Sequence, residues 1–502
     1  MCASKNGTRL SNATVSRLDS RIRRPGYDRE RLRARTVHIG VGGFHRAHQA
    51  VYLDELLERG AVSEWGECGM GVLPHDAAMR DALREQDYLY TVLERSGDAQ
   101  AARIIGSIMD FSLAPEDSAT AIERLANEET RLVSLTITEG GYFIHEGTGE
   151  FSHDAPAIQH DICQPSTPET SLGYLTAALK LRRDRNIAPF TVMSCDNLQG
   201  NGHVIRKVLL ALAELQDLSL HRWIANNVAF PNSMVDRITP ATTQSDREQL
   251  KQQYGINDAW PVVTEPFLQW VIEDTFCNER PPWEEVGAEI VTDVLPYELM
   301  KIRLLNASHM AMAYLGALAG QIFAHEVMQD PIFDRFIWAF MDEVTPVVPL
   351  IPRTSIPDYK RTLIERFANP TLNDRVARLC SEGSAKMPKW VLPSVVELAE
   401  KRGSTKLLSL VIAAWIKYLQ TPTDERGNPI EVVDARSDEL KRTAKSIGND
   451  PRPFIAMKAL FGPAYFAEPA FANEVEAALI SLSIMGARET IRHYTAAIRS
   501  GD

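Results

Sequence analysis

The segment that most limits what this chain can fold into is Thr36-Val-His-Ile-Gly40-Val-Gly42-Gly43-Phe44, where a short β-type run feeds directly into a glycine turn. The stretch Gln49–Arg59 follows, with Val51, Leu53, Leu56 and Leu57 at helical spacing. Strand, tight turn and helix in that order predict the first half of a βαβ unit. In such a unit the first glycine permits the sharp turn and the second lets the backbone approach a pyrophosphate, while the helix N-terminus offers N–H groups to the anion. Gly40 and Gly42 stand in those places, whereas His45 replaces the third glycine of the G-x-G-x-x-G pattern.

Further β-type runs at Glu67–Leu73, Arg131–Thr138, Phe190–Cys195 and Val262–Phe267 alternate with helical patterns at Leu172–Leu181 and Val204–Leu215. Alternation of this kind predicts an α/β fold, a Rossmann-type and mainly parallel sheet with helices on both faces. The texture changes after Pro281-Pro282, and from Pro296 onward the runs are long and helical, as at Glu298–Ala324, Val391–Lys401 and Leu407–Gln420. The reading is a dinucleotide-binding α/β domain over residues 1–295 and a mostly helical substrate-binding and catalytic domain over 296–502. A length of 502 residues suits two cores better than one.

Composition removes several function classes. Lys+Arg of 54 against Asp+Glu of 66 leaves a net charge of −12, a field that repels phosphate backbones and anionic lipid. Neither nucleic acid nor a membrane is an expected partner. The six cysteines are scattered without a C-x-x-C pair, which predicts reduced thiols in a cytoplasmic protein and no cysteine-rich metal site. Arg9, Arg17, Arg21, Arg23 and Arg24 lead into no apolar segment, so a secretory signal is not expected. The uncharged stretch Leu304–His325 holds Asn306, Ser308, His309, Gln321 and His325, which lipid would have to desolvate, so it reads as a buried helix.

Asp76 lies just past the second expected strand, where a carboxylate accepts hydrogen bonds from the adenosine ribose hydroxyls and repels a 2′-phosphate. That predicts NAD rather than NADP; the plainer reading is a cap for the helix holding Met79 and Leu83. Around residue 300, with Lys301 as zero on an α-helix, Glu298 falls near 60°, His309 near 80° and Asn306 near 140°. A desolvated lysine disfavours its ammonium form and can accept a proton, while Asn and His can donate to an oxygen that gains negative charge. Such a set suits hydride removal from a secondary alcohol. The alternative is a solvated Lys301 and a hydrogen-bonded core His309.

Taken together, these residues resemble the polyol-specific long-chain dehydrogenases over essentially the whole chain. The resemblance rests on Gly40-Val-Gly42-Gly43-Phe44-His45-Arg46-Ala47-His48, Thr136-Ile-Thr-Glu-Gly-Gly-Tyr142, Ser194-Cys-Asp-Asn-Leu-Gln-Gly-Asn-Gly202, Phe230-Pro-Asn-Ser-Met-Val-Asp-Arg-Ile-Thr-Pro240 and Lys301-x4-Asn306-x2-His309. It implies an NAD-dependent enzyme that interconverts D-mannitol and D-fructose by hydride transfer at C2, as a cytoplasmic, metal-independent monomer whose partner is a small polyol or ketose. Lys301 is then the general base, with Asn306 and His309 hydrogen-bonded to the reacting oxygen. Asn197, Asp236, Arg378 and Lys386 are implied to bind substrate, and Gly40, Gly42, Gly43, Phe44 and Asp76 to bind the cofactor. Related sorbitol or arabinitol dehydrogenases and fructuronate or tagaturonate reductases remain alternatives. The Tyr297-x3-Lys301 spacing of short-chain dehydrogenases also occurs, but their glycine pattern does not, and the cysteine cluster of a zinc alcohol dehydrogenase is missing.

Overall fold

A computed structural model describes residues 7–97, 99–145, 149–462, 466 and 468–496. The chain divides into two compact units, Met1–Leu295 and Pro296–Asp502. In the first, the strands β1 (Arg33–Ile39), β2 (Trp65–Gly71), β3 (Ile108–Leu113), β4 (Leu132–Leu135) and β5 (Thr191–Ser194) form one sheet in the order β3-β2-β1-β4-β5. Every pair in it is parallel. The order reverses between β1 and β4, and the carboxyl ends of those two strands are where sheets of this type bind ligands.

Register gives the sheet two different faces. Val37 stands opposite Cys68 on one side and Val133 on the other, and Val133 opposite Val192. With Ile39, Met70 and Leu135 they make an apolar face, covered by α3 (Ser171–Asp184) and α4 (Asn201–Gln216) through Leu172, Leu175, Val208, Leu209 and Leu212. Burying each such aliphatic side chain contributes about 1.5–3 kcal/mol. The alternate residues Thr36, His38, Glu67 and Ser134 point the other way, towards the side of α1 (Gly43–Ala47) and α2 (Gln49–Arg59), and all four are buried. One face of the sheet is therefore hydrocarbon, and the other, the polar face, sets this buried polar cluster among apolar Phe111, Leu132 and Met193.

The expected runs at residues 36–40, 67–73, 131–138 and 190–195 all lie in this sheet. The run at 262–267 is a strand too, Val262–Thr264, but it pairs with Tyr90–Ser96 and through it with Ala99–Ile105 in a separate three-stranded sheet. A third small sheet contains Ser233–Asp236, Gln269–Glu273 and Glu289–Val291.

The second unit is helical. The continuous helix expected over Glu298–Ala324 is instead α5 (Leu295–Met300), a π-helical turn over Lys301–Asn306 and α6 (Ala307–Leu318), after which a turn leads to the next helix at Ala324. Met310, Ala311, Met312, Ala313, Tyr314 and Leu315 are all buried, so α6 is a central helix with protein on every side. It packs on Lys406–Gln420 and on the long helix Pro469–Thr495. That last helix is the one described element long and apolar enough to cross a bilayer. Its Phe471, Val475, Leu479 and Leu482 are buried in the protein, and Gly486 (φ 76°) breaks it.

Gly40 has φ 94°, and a Cβ there would collide with the Thr136 carbonyl. Gly60 ends α2 at φ 72° with open space around it. Gly60→Ala should therefore cost only the left-handed backbone penalty of about 1–2 kcal/mol. Gly40→Ala adds a backbone collision, and urea unfolding should show a loss larger by about 1–3 kcal/mol. Equal losses would mean that the turn can yield to a side chain.

Candidate active site

The glycine turn rests on the polar face of the sheet. Gly40 N donates to Met70 O at 3.0 Å, and Thr136 Oγ1 donates to Gly40 O at 2.7 Å. Because that hydroxyl proton is committed, His38 Nε2, 2.8 Å away, must donate to Thr136 Oγ1, and Nδ1 then accepts from Ser134 Oγ at 2.7 Å. His45, in the place of the third glycine, stacks on His38 with ring centres 3.5 Å apart and lies 2.7 Å from Glu67. All three side chains are buried. Burial drives both imidazoles below their ordinary values and raises the Glu67 carboxyl to about 7, which favours neutral rings beside a protonated Glu67 on the acid side of neutrality.

Above this base the turn is open. A side chain at Gly42 or Gly43 would meet nothing closer than 3.8 Å, so their backbone is bare to a ligand. Phe44 stacks on His48 with centres 4.9 Å apart. Asp76 lies against Gly71 at the end of β2, where its Oδ2 accepts from Leu73 N at 2.9 Å and closes the turn before the next helix. It gives that helix no side-chain cap, and about a quarter of the side chain is exposed. A cradle of bare glycine backbone with a carboxylate at the end of the second strand fits a dinucleotide.

Three loops at the carboxyl edge of the sheet are joined by hydrogen bonds. Asp196, after β5, accepts from Ile137 N (2.9 Å), Thr138 N (2.9 Å) and Tyr142 Oη (2.7 Å) of the loop after β4. Asn201 Nδ2 donates to Asp196 O and to Ser233 O, and Asn201 Oδ1 accepts from Ser233 N. Exposed Asn197 and buried Asp236 thus stand on segments held in one frame. Arg237 does not need Asp236 as its partner: it donates to Glu265 O and Ala47 O and pairs with Glu94 at 2.5 Å, which ties this frame to the end of α1. Asp196, Asn201 and Arg237 all lie inside the motifs quoted above, yet sequence reasoning gave none of them a role.

In the second unit Lys301 opens the π-turn and Asn306 closes it. The Ala307 N–H bonds to Ile302 O, a five-residue step in place of four. Residues five apart come into line in such a turn, so Lys301 and Asn306 lie on one side rather than about 140° apart. Both are buried, at 7% and 4% exposure. Asn306 Oδ1 is a buried acceptor with no partner among the described residues, a group that a ligand hydroxyl can satisfy. His309, half-buried, packs on Phe367 with centres 4.7 Å apart. Arg378 is exposed and forms a two-bond pair with Asp374, both at 2.6 Å. Lys386 Nζ lies 3.3 Å from Leu379 O and 5.7 Å from the Trp390 ring centre. Nearby Gly383 packs against Tyr314 and Trp415 where no side chain would fit.

Comparison with known proteins bears on both units. Residues 34–285 match the mannitol dehydrogenase Rossmann domain, and residues 293–483 the mannitol dehydrogenase C-terminal domain. A mannitol 2-dehydrogenase of Aspergillus fumigatus is 45% identical over 480 residues, covering 94% of this chain and 95% of that protein. One from Aspergillus oryzae is 43% identical over 498 residues, covering 97% and 99%. Among solved structures, the Pseudomonas fluorescens mannitol 2-dehydrogenase ternary complex with NAD and D-mannitol is similar at TM-score 0.89 and 45% identity, covering 98% of this chain and 100% of that one. A D-sorbitol dehydrogenase in substrate-free form is similar at TM-score 0.89 and 32% identity, covering 96% and 100%.

The histidine stack makes a prediction about pH. Between about pH 4.5 and 6.5, the ordinary values of Glu and His, the Glu67–His45 pair holds one proton both folded and unfolded, so it adds no slope. His38 is neutral when folded and protonated when unfolded, so the unfolded chain binds the extra proton and stability falls as pH drops below about 6.5. Chemical denaturation at several pH values should show His38→Gln with a shallower slope, by on the order of 1 kcal/mol per pH unit. Parallel slopes would mean that His38 is charged in the folded protein.

Proposed function

Because the chain belongs to the mannitol dehydrogenase family, with that family's two domains in order, we propose that it is an NAD-dependent oxidoreductase that interconverts D-mannitol and D-fructose at C2 without a metal. The observation that carries this reading is the buried π-turn that brings Lys301 and Asn306 to one side of a central helix. When bound, NAD supplies the nicotinamide that accepts the hydride from C2. The backbone of Gly40, Gly42 and Gly43, with Phe44 beside it, would hold the pyrophosphate, and Asp76 the adenosine ribose.

Lys301 takes the proton from the C2 hydroxyl in oxidation and returns it in reduction. Asn306 and His309 hydrogen-bond the reacting oxygen and stabilise its negative charge as the hydride leaves. Asn197, Asp236, Arg378 and Lys386 bind the remaining hydroxyls. The likeness to a D-sorbitol dehydrogenase at 32% identity supports a second reading, another hexitol as the preferred substrate on the same machinery. Initial rates with mannitol, sorbitol and arabinitol, and with fructose, fructuronate, tagaturonate and xylulose in reverse, decide between them. Exhaustive chelation that abolished activity, with zinc restoring it, would overturn the metal-free mechanism.

Oxidation needs neutral Lys301, so its rate should rise with pH to a plateau, while reduction needs the ammonium and should fall as pH rises. Lys301→Ala should lose several orders of magnitude in kcat with little change in cofactor affinity, and a small primary amine should restore part of it. Asn306→Ala or His309→Ala should each cost on the order of 10²–10³. Tyr297→Phe should be nearly silent; a dead Tyr297→Phe beside an active Lys301→Ala would transfer the acid–base role to the tyrosine.

Replacing Asp76 with Asn should weaken the preference for NAD over NADP, read as the ratio of kcat/KM for the two cofactors. An unchanged ratio would assign the choice to another group.

A further inference from the structure

Thr138 has φ 59° and ψ 168°, in a region of backbone space that is essentially reserved for glycine. A β-branched residue there is a genuine outlier. The chain has glycines within reach, at Gly140 and Gly141, yet the threonine takes the strained place. Strain of this kind persists only where the surroundings over-determine it, and it clusters at functional sites.

The surroundings here are a single carboxylate that straddles the strained residue. Asp196 Oδ2 accepts from Ile137 N, and Oδ1 from Thr138 N, both on the amino side of the Thr138 φ torsion. On the far side, Tyr142 Oη returns to Asp196 Oδ2 at 2.7 Å and meets Ser194 Oγ at 2.5 Å. If Thr138 relaxed to negative φ, the chain beyond it would leave in another direction and the Tyr142 bond could not close. Asp196 is itself fixed, since its N–H donates to Ser194 Oγ and its carbonyl accepts from Asn201 Nδ2. The carboxylate is largely desolvated, which raises its pKa, and the three donors offset part of that cost.

We propose that Asp196 is a positioning residue: it staples the loop after β4 across the strained Thr138, and so sets the carboxyl edge of the sheet next to Asn197 for polyol turnover. The proposal rests on the function given above only for its activity readout.

The test is a comparison of one substitution in two backgrounds. Asp196→Asn replaces one of the two acceptor oxygens by an NH2 donor that faces N–H or O–H groups, and it should lower kcat/KM for the polyol at least 30-fold in the otherwise unchanged chain. In a Thr138→Gly background, where positive φ needs no staple, the same substitution should cost threefold or less. A merely structural Asp196 would cost the same in both backgrounds, and that result overturns the proposal. Hydrogen exchange at the Ile137 and Thr138 amides should accelerate at least tenfold in Asp196→Asn; unchanged exchange would also overturn it. Should Asp196→Asn alone not fold, a crystal structure of the unmodified chain decides: Thr138 at positive φ with both amides on Asp196 supports the staple, and negative φ refutes it. If the wild-type chain turned over no polyol, the exchange and crystallographic readouts would still judge the staple, and the functional reading alone would fall.

Discussion

The approach of the Gly40 backbone to the Thr136 carbonyl governs the first unit. β1 and β4 are parallel neighbours, so their carboxyl ends leave the sheet side by side, and the chain after β1 must turn away at once across the neck of β4. Only a residue without a Cβ, at φ 94°, can do so. The Thr136 hydroxyl then closes onto the Gly40 carbonyl, and His38 supports the hydroxyl from beneath. Segments near residues 40, 136, 196 and 236 are distant in sequence, but Asp196, Asn201 and Arg237 link them into one hydrogen-bonded frame.

That frame explains why the glycine pattern is incomplete. A third glycine lets a helix lie close on its strand. Here the strand presents His38 to the helix, and a flat ring from His45 covers it instead, with Glu67 2.7 Å from the edge of that ring. The polar face and the histidine belong together: a glycine at 45 would leave His38 and Glu67 buried without cover.

Much of this was legible in the sequence, for a physical reason in each case. The strand–turn–helix at 36–59 is written in residues with few conformational choices, and α2 runs over Gln49–Arg59 as its spacing predicts. β3 was not legible, because Asp110 and Ser112 interrupt its apolar pattern and Asp110 is satisfied by Arg124 of the following helix. The π-turn was not legible either. Projection at 100° per residue presumes α geometry throughout, and no residue type announces a change of pitch. The polar set near residue 300 stood out by helical projection and its individual roles followed from resemblance, whereas the role proposed for Asp196 needed the backbone angle of another residue 58 positions away.

The π-turn between Lys301 and Asn306 also bears on how this helix can change in evolution. A π-turn holds one residue more than an α-turn closing the same stretch of axis. Deleting any one residue between 301 and 306 would restore regular α geometry and relieve the irregularity at no cost to hydrogen bonding. The same deletion would leave Lys301 and Asn306 four residues apart, about 40° around a regular α-helix, so the pair would stay on one side. Length here can therefore change by one residue without parting the pair, whereas Arg303, Leu304 and Leu305 are buried and held by what surrounds them. In this segment the identity of the two end residues, more than the count between them, is what inheritance must preserve.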